Sequence, residues 1–265
     1  MRGHLHLSAS LDAAGRTYVR EQSFKAPLHL SKPHEDAGAL IVNIVNPTAG
    51  LFDGDEIDCR VSVEAGAHLV LTTPSANRIY RARGEGAAVV TQSYRVAAGA
   101  FLEFYPELLI PQAGARYHQR TDLRVEPGGT LLFFEWLAPG RVASGEVFQF
   151  DELVWDTDVW FADRLVGRER YTINPATESR EALQQVFPES HYLGCFLLGD
   201  LPFPTAAVEA LQSENIYLGH SPLAAGGWAI KSLCRDGIST RRLMKGLRAA
   251  VYEQCTRPIP SLGRF

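Results

Sequence analysis

Cysteine is scarce in this chain. Four thiols in 265 residues, Cys59, Cys195, Cys234 and Cys255, lie too far apart for a CxxC zinc or redox pair and are too few for a disulfide framework. Reduced, mostly buried thiols are expected. There is no cationic excess either: 26 Lys and Arg stand against 30 Asp and Glu, a formal net charge of −4. Nucleic acid and anionic lipid both recruit proteins through excess Lys and Arg, so neither is an expected partner. Residues 37–52 and 215–230 are charge-free, but Asn, Pro and Gly interrupt them well short of the roughly 20 apolar residues a membrane helix needs. From Met1-Arg2-Gly3-His4 the chain runs into Ser8, Ser10 and Asp12 instead of an apolar leader, so the expected location is the cytoplasm.

The motifs of common chemistries are missing too. No P-loop occurs, and Gly84-Glu85-Gly86 lacks the third glycine and following helix of a dinucleotide fingerprint. Gly219-His220-Ser221-Pro222 lacks the closing glycine of a nucleophile elbow. His4 and His6 share one face of a possible strand, whereas His118 and His191 have no partner at metal-ligand spacing. Neither catalysis nor a resident cofactor is expected.

What is present is a repeat. Val63-Glu-Ala-Gly66-Ala-His-Leu69-Val-Leu71, Val96-Ala-Ala-Gly99-Ala-Phe-Leu102-Glu-Phe104 and Val125-Glu-Pro-Gly128-Gly-Thr-Leu131-Leu-Phe133 share the pattern V-x-[AP]-G-[AG]-x-L-x-[LF]. Alternating apolar residues flank each glycine, so each copy reads as strand, tight turn, strand. Two readings remain open. The copies are either hairpins of a kind common among β proteins, or turns of a solenoid in which each strand pair covers the apolar face of the next. The expected fold is mainly β, with stacked antiparallel strand pairs in a solenoid-like body over about 38–150 and a mixed α/β portion over about 151–265, all in a single domain of residues 1–265.

Helix signals come late. Short helices are expected over 178–187 and Thr205–Ser213. A longer one, capped by Ser239, runs from Thr240 to about Cys255 with an apolar stripe of Leu243, Leu247 and Val251. Arg241, Lys245 and Arg248 fall mainly off that stripe, where they can meet an acidic partner. Arg78-Ile79-Tyr80-Arg81 mixes cations with an aromatic ring and suits either a partner contact or a charged strand edge. Between Asn46 and Asp55, one Pro, two Gly and two Asp form a loop that either presents carboxylates or closes on itself through Asx turns.

At this loop the chain resembles the urease accessory family called UreD or UreH. Pro47-Thr-Ala-Gly50-Leu-Phe-Asp-Gly54-Asp55 is similar to the family's P-x-G-G-x-x-x-G-D, with Ala49 replacing one glycine. The resemblance continues through Thr72-Thr-Pro74-Ser-Ala76-Asn-Arg78-Ile-Tyr80-Arg81, Leu102-Glu103-Phe-Tyr-Pro106-Glu107, Leu131-Leu132-Phe-Phe-Glu135 and Gly140-Arg141 to Phe148. It implies a non-enzymatic scaffold that binds the urease structural subunits and recruits UreF. UreF in turn brings the GTPase UreG, so that nickel reaches the urease active site. On this reading Asp55, at the family's G-D position, is the candidate for a nickel path, and the alternative is that its carboxylate holds the loop. Arg78, Tyr80, Arg81, Arg241, Lys245 and Arg248 are candidate partner contacts. Two rivals are a polymer-binding module using Trp155, Trp160 and the Arg/Tyr stripe, and a hydrolase using Asp55 and Glu103 as an acid/base pair.

Overall fold

In the computed structural model, residues 1–178, 182 and 190–262 are described. The repeat is a turn of a solenoid. At each copy the chain leaves a strand of one sheet, turns, and enters a strand of a second sheet: Glu56–Val63 to His68–Thr72, Ala88–Val96 to Phe101–Tyr105, Arg116–Val125 to Thr130–Leu137. The turns close through hydrogen bonds from Ala67 N–H to Glu64 O, Ala100 N–H to Ala97 O and Gly129 N–H to Glu126 O. Gly66, Gly99 and Gly128 occupy the third position of these turns at φ 76°, 71° and 78°. That is the type II geometry, which disfavours a Cβ there and accepts Pro127 at the second position.

This corrects the expected strand direction. The body is mainly β and solenoidal, but its stacked strands run parallel. Because the two strands of each copy belong to different sheets, the neighbour within a sheet lies one full coil away and runs the same way. Thus Glu56–Val63, Ala88–Val96, Arg116–Val125 and Glu152–Phe161 pair in parallel, as do Ala39–Val45, His68–Thr72, Phe101–Tyr105 and Thr130–Leu137. Short strands Gly50–Leu51, Asn77–Ile79 and Leu109–Pro111 make a third wall. Antiparallel partners appear at the ends. Arg164–Ile173 closes one edge of the first sheet, and Thr17–Lys25 closes the other beside Arg2–Leu11, which joins the stack in parallel against Glu56–Val63.

The burial patterns follow from what covers each face. Strands of the first sheet alternate between core and solvent, as in Glu56–Val63 and Arg116–Val125. Phe101–Tyr105 is buried throughout. Its inner face (Leu102, Phe104) fills the solenoid, while its outer face (Phe101, Tyr105) lies under the C-terminal portion. There His191–Leu198, Gly227–Cys234 and Ile216–Pro222 extend the second sheet antiparallel, and the helix Gly237–Gln254 packs Leu243, Leu247 and Val251 against Leu132 and Phe134.

The expected stripe is therefore the buried one, but the cap differs. Asp236 caps the helix, accepting the backbone N–H of Ser239 at 2.7 Å, so the helix begins at Gly237. The short helix near 205–213 covers Thr205–Glu209, and the expected helix over 178–187 lies, except for residues 178 and 182, outside the described residues. Among the described residues, no helix is long and apolar enough to cross a membrane.

Candidate functional site

Parallel stacking aligns equivalent inward positions of successive coils. Most ladders inside the solenoid are apolar, such as Val63, Val96, Val125 and Phe161. One is polar: Cys59 pairs with Gln92, Gln92 with Thr121, and Thr121 with Thr157, so a line of polar side chains runs along the axis across four coils. Gln119, Tyr94 and Tyr117 join it. The Tyr94 hydroxyl donates to Gln92 Oε1 at 2.7 Å, the Tyr117 hydroxyl to Gln119 Oε1 at 2.6 Å, and the Gln119 amide to Thr121 Oγ1 at 3.2 Å. A cavity of about 140 Å³ lies against part of this line, with Cys59, Gln92, Tyr94 and Gln119 in its wall.

The line ends on Glu135, which the second sheet projects inward. Its Oε1 accepts the indole N–H of Trp155 at 2.8 Å, the Thr157 hydroxyl at 3.2 Å and the Gln119 amide at 3.5 Å. Burial pushes this carboxyl up to about 7, against the pull of its donors. Burial likewise pushes the Cys59 thiol up to about 12, so the thiol stays protonated at neutral pH.

Glu135 also lines a second, smaller cavity of about 40 Å³ with Trp155, Tyr171 and Tyr192. Beyond it the polar contacts reach the surface. The Tyr171 and Tyr192 hydroxyls meet at 3.0 Å, Lys231 Nζ donates to the Tyr171 hydroxyl at 2.8 Å, and Lys231 pairs with Glu169 at 2.8 Å. Among the described residues, no three His, Cys, Asp or Glu side chains gather as a metal site. The interior can offer a passing cation single oxygens, and no cage.

The candidate residues from sequence lie elsewhere. Asp55 is buried in the wall of its loop with both oxygens engaged by the chain itself: Oδ2 accepts the Phe52 N–H at 2.9 Å and Oδ1 pairs with the Met1 ammonium at 2.8 Å. In the same loop Asn46 Oδ1 accepts from the Thr48 N–H, as in an Asx turn. Gly50 is tight enough that a Cβ would lie 2.4 Å from Arg78 O. Tyr80 stacks on Phe52 at 4.5 Å and donates to Thr48 O. Arg78 and Arg81 flank it and form no ion pair among the described residues.

On the C-terminal helix, Arg241 reaches Glu107 at 2.8 Å and Lys245 is exposed. Arg248 is turned inward. Its Nε donates to Glu103 Oε1 at 2.5 Å, and the Tyr252 hydroxyl donates to Glu103 Oε2 at 2.6 Å and contacts His68 at 3.1 Å. Burial holds His68 down at about 3, so this ring is neutral.

These placements bear on the rival readings. Trp155 is a core residue bound to Glu135 and presents no face to a polymer. Glu103 is enclosed beneath the helix, out of reach of any substrate. Glu135, Gln92 and Gln119 are polar residues of this interior that the sequence motifs do not single out as candidates. The signal was there in Leu131-Leu132-Phe133-Phe134-Glu135, a carboxylate closing an apolar strand at a core-facing position.

Comparison with known proteins agrees with the motifs. The family model described as UreD urease accessory protein matches residues 1–263. A urease accessory protein UreD of Opitutus terrae is 38% identical, with 96% of each chain aligned. A UreD of Mycolicibacterium gilvum is 33% identical over 79% of this chain and 75% of its own, and one of Acetivibrio thermocellus is 27% identical over 90% and 93%.

Proposed function

Because the chain belongs to the UreD family of urease accessory proteins, non-catalytic chaperones with a role in inserting nickel into urease, we propose that its solenoid is both the scaffold of the maturation complex and a conduit for the ion. The observation that carries this reading is the polar line from Cys59 to Glu135 inside an otherwise apolar core. Buried polar groups are destabilising unless bonded, and a folding requirement alone would favour apolar residues at these positions, as in the neighbouring ladders.

Nickel is the cargo and needs donors that release it. Isolated amide, hydroxyl and carboxyl oxygens bind a borderline divalent ion weakly, whereas a cluster of His or Cys would retain it. Glu135, poised near neutral pH, can give up its proton when a cation approaches and take it back when the cation leaves. In this account Asp55 holds the loop and the start of the chain together, and the transit position belongs to Glu135.

Surface contacts supply the partners. The expected assembly comprises the urease structural subunits, UreF and, through UreF, the GTPase UreG, in the cytoplasm. Arg78, Tyr80 and Arg81 form one candidate contact, stiffened by the Phe52 stack; Arg241 and Lys245 form another. We read residues 1–265 as one unit, since the core inside the solenoid draws on strands from Arg2–Leu11 through Gly227–Cys234.

Co-purification with the urease subunits and the other accessory proteins tests the scaffold role. The chain should elute with them, and Arg78→Glu/Arg81→Glu should reduce that co-elution without lowering the melting temperature. Unchanged co-elution would remove this stripe from the interface, and absence of any co-elution by the unmodified chain would refute the scaffold.

A further inference from the structure

The C-terminal helix borders an open cleft of about 440 Å³, of which the candidate contact residues Arg241 and Lys245 form part of the wall. Arg241, Lys245 and Arg248 line one side, Tyr105 and Glu107 the floor, and the tail residues Ile259 to Leu262 the far side. Glu103 engages Arg248 and Glu107 engages Arg241, so Lys245 leaves the cleft with one uncompensated positive charge on a chain of net charge −4. Lys245 forms no ion pair among the described residues. The far wall is preset, because Pro258 and Pro260 restrict the tail and the Ser261 N–H is bound by Asp36 at 2.5 Å.

Pro74 and Glu107 belong to two walls at once, since both line this cleft and the 140 Å³ cavity inside the solenoid. The Arg241–Glu107 pair therefore lies on the partition between the outer cleft and the polar interior. Glu107 is largely enclosed, while the Arg241 side chain is 56% exposed and also lies over the Trp136 ring at 5.6 Å.

We propose that the cleft receives an extended, carboxylate-bearing segment of a partner protein, and that Arg241 exchanges Glu107 for the incoming carboxylate, opening the partition beside the interior cavity. The exchange leaves Glu107, whose side chain is about a tenth exposed, without the Arg241 cation, so docking must supply the free energy that this pair now contributes. Lys245 adds attraction for the same segment, and the Tyr105 and Ile259 surfaces suit the aliphatic stems of acidic side chains. This inference rests on the reading of the interior as a path, and it supplies the condition under which the path is open.

Both halves can be tested on the full chain without nickel, so failure of the gate is separable from failure of the conduit. A fluorescent hexaglutamate peptide should bind in a salt-sensitive manner, and hexalysine should not. Arg241→Glu/Lys245→Glu should weaken binding about tenfold, whereas Glu107→Gln, which frees Arg241, should tighten it severalfold. Cys59 lines the interior cavity and reports access to it. Its alkylation by iodoacetamide, followed by peptide mass spectrometry, should accelerate when the peptide binds and in Arg241→Ala, while Cys195 in the outer core stays slow. Melting curves identify any variant whose labelling reflects unfolding, and Arg241→Gln then replaces it. The proposal is overturned if peptide binding is absent or indifferent to the charge reversals, if Cys59 labelling is unchanged by peptide and by Arg241→Ala, or if the reversals instead abolish self-association, which would assign the cleft to a second copy of the chain.

Discussion

Replacing Glu135 with glutamine should remove a pH-dependent step from the stability of this protein. The carboxyl titrates near 4.5 when unfolded and about 7 when folded, because burial penalises the charge more than Trp155 and Thr157 stabilise it. With the folded value raised, the native state keeps a proton that the unfolded chain releases between these limits. Stability therefore falls as pH rises from about 4.5 to about 7 and is level above. Integrated, the loss is about 3 kcal/mol at pH 8 relative to pH 4. Glutamine keeps an oxygen for the Trp155 and Thr157 donors and carries no charge. Urea denaturation of both proteins at pH 5 and pH 8, compared as differences so that other titrating groups cancel, should show the variant gaining stability at pH 8 by up to about 3 kcal/mol and little at pH 5. Equal pH dependence in the two proteins would refute the assignment of a raised, buried carboxyl, and with it the proton exchange invoked for nickel passage.

Other expectations follow from specific contacts. Arg248→Ala should lower stability by about 3–5 kcal/mol by stranding Glu103 under the helix, and Arg248→Met/Glu103→Leu should recover most of it in a double-mutant cycle followed by thermal melting. Ala49 sits at φ 54°, where the family motif has glycine, so Ala49→Gly should stabilise the fold by about 1 kcal/mol in denaturant titration. Asp55→Asn loses the Met1 ion pair and weakens the turn at Phe52, and should lower the melting temperature and complex assembly together, with stability falling by about 1–2 kcal/mol; lost activation with both intact would return Asp55 to the nickel path.

The repeat announced the solenoid because the chemistry of one turn, a glycine at positive φ between alternating apolar residues, is local and visible three times over. Strand direction was not visible. A glycine turn serves a hairpin or a coil equally well, and which it joins depends on whether its two strands meet each other or their counterparts a coil away. The stripe of Leu243, Leu247 and Val251 was legible from its spacing, but Arg248 was not, since what draws it inward is Glu103, 145 residues earlier in the chain. Asp236 outcompeted Ser239 as the cap because its carboxylate reaches the third helical N–H, a contact that composition alone leaves between two good capping residues. Gln92, Thr121 and Glu135 are unremarkable separately, and they become a line only once the register of successive coils is known.

The central claim, that the ion travels through the interior of this chain, is tested most directly by the nickel content of urease matured in a defined mixture of apoprotein, accessory proteins, GTP, bicarbonate and nickel. Glu135→Leu replaces the carboxylate of the line with a branched aliphatic side chain and, because Glu135 is buried, leaves the outer surface untouched. The account predicts that this variant co-elutes with its partners as the unmodified chain does, while urease emerges with several-fold less nickel and correspondingly less activity. Full nickel loading of urease by an assembled Glu135→Leu complex would contradict it.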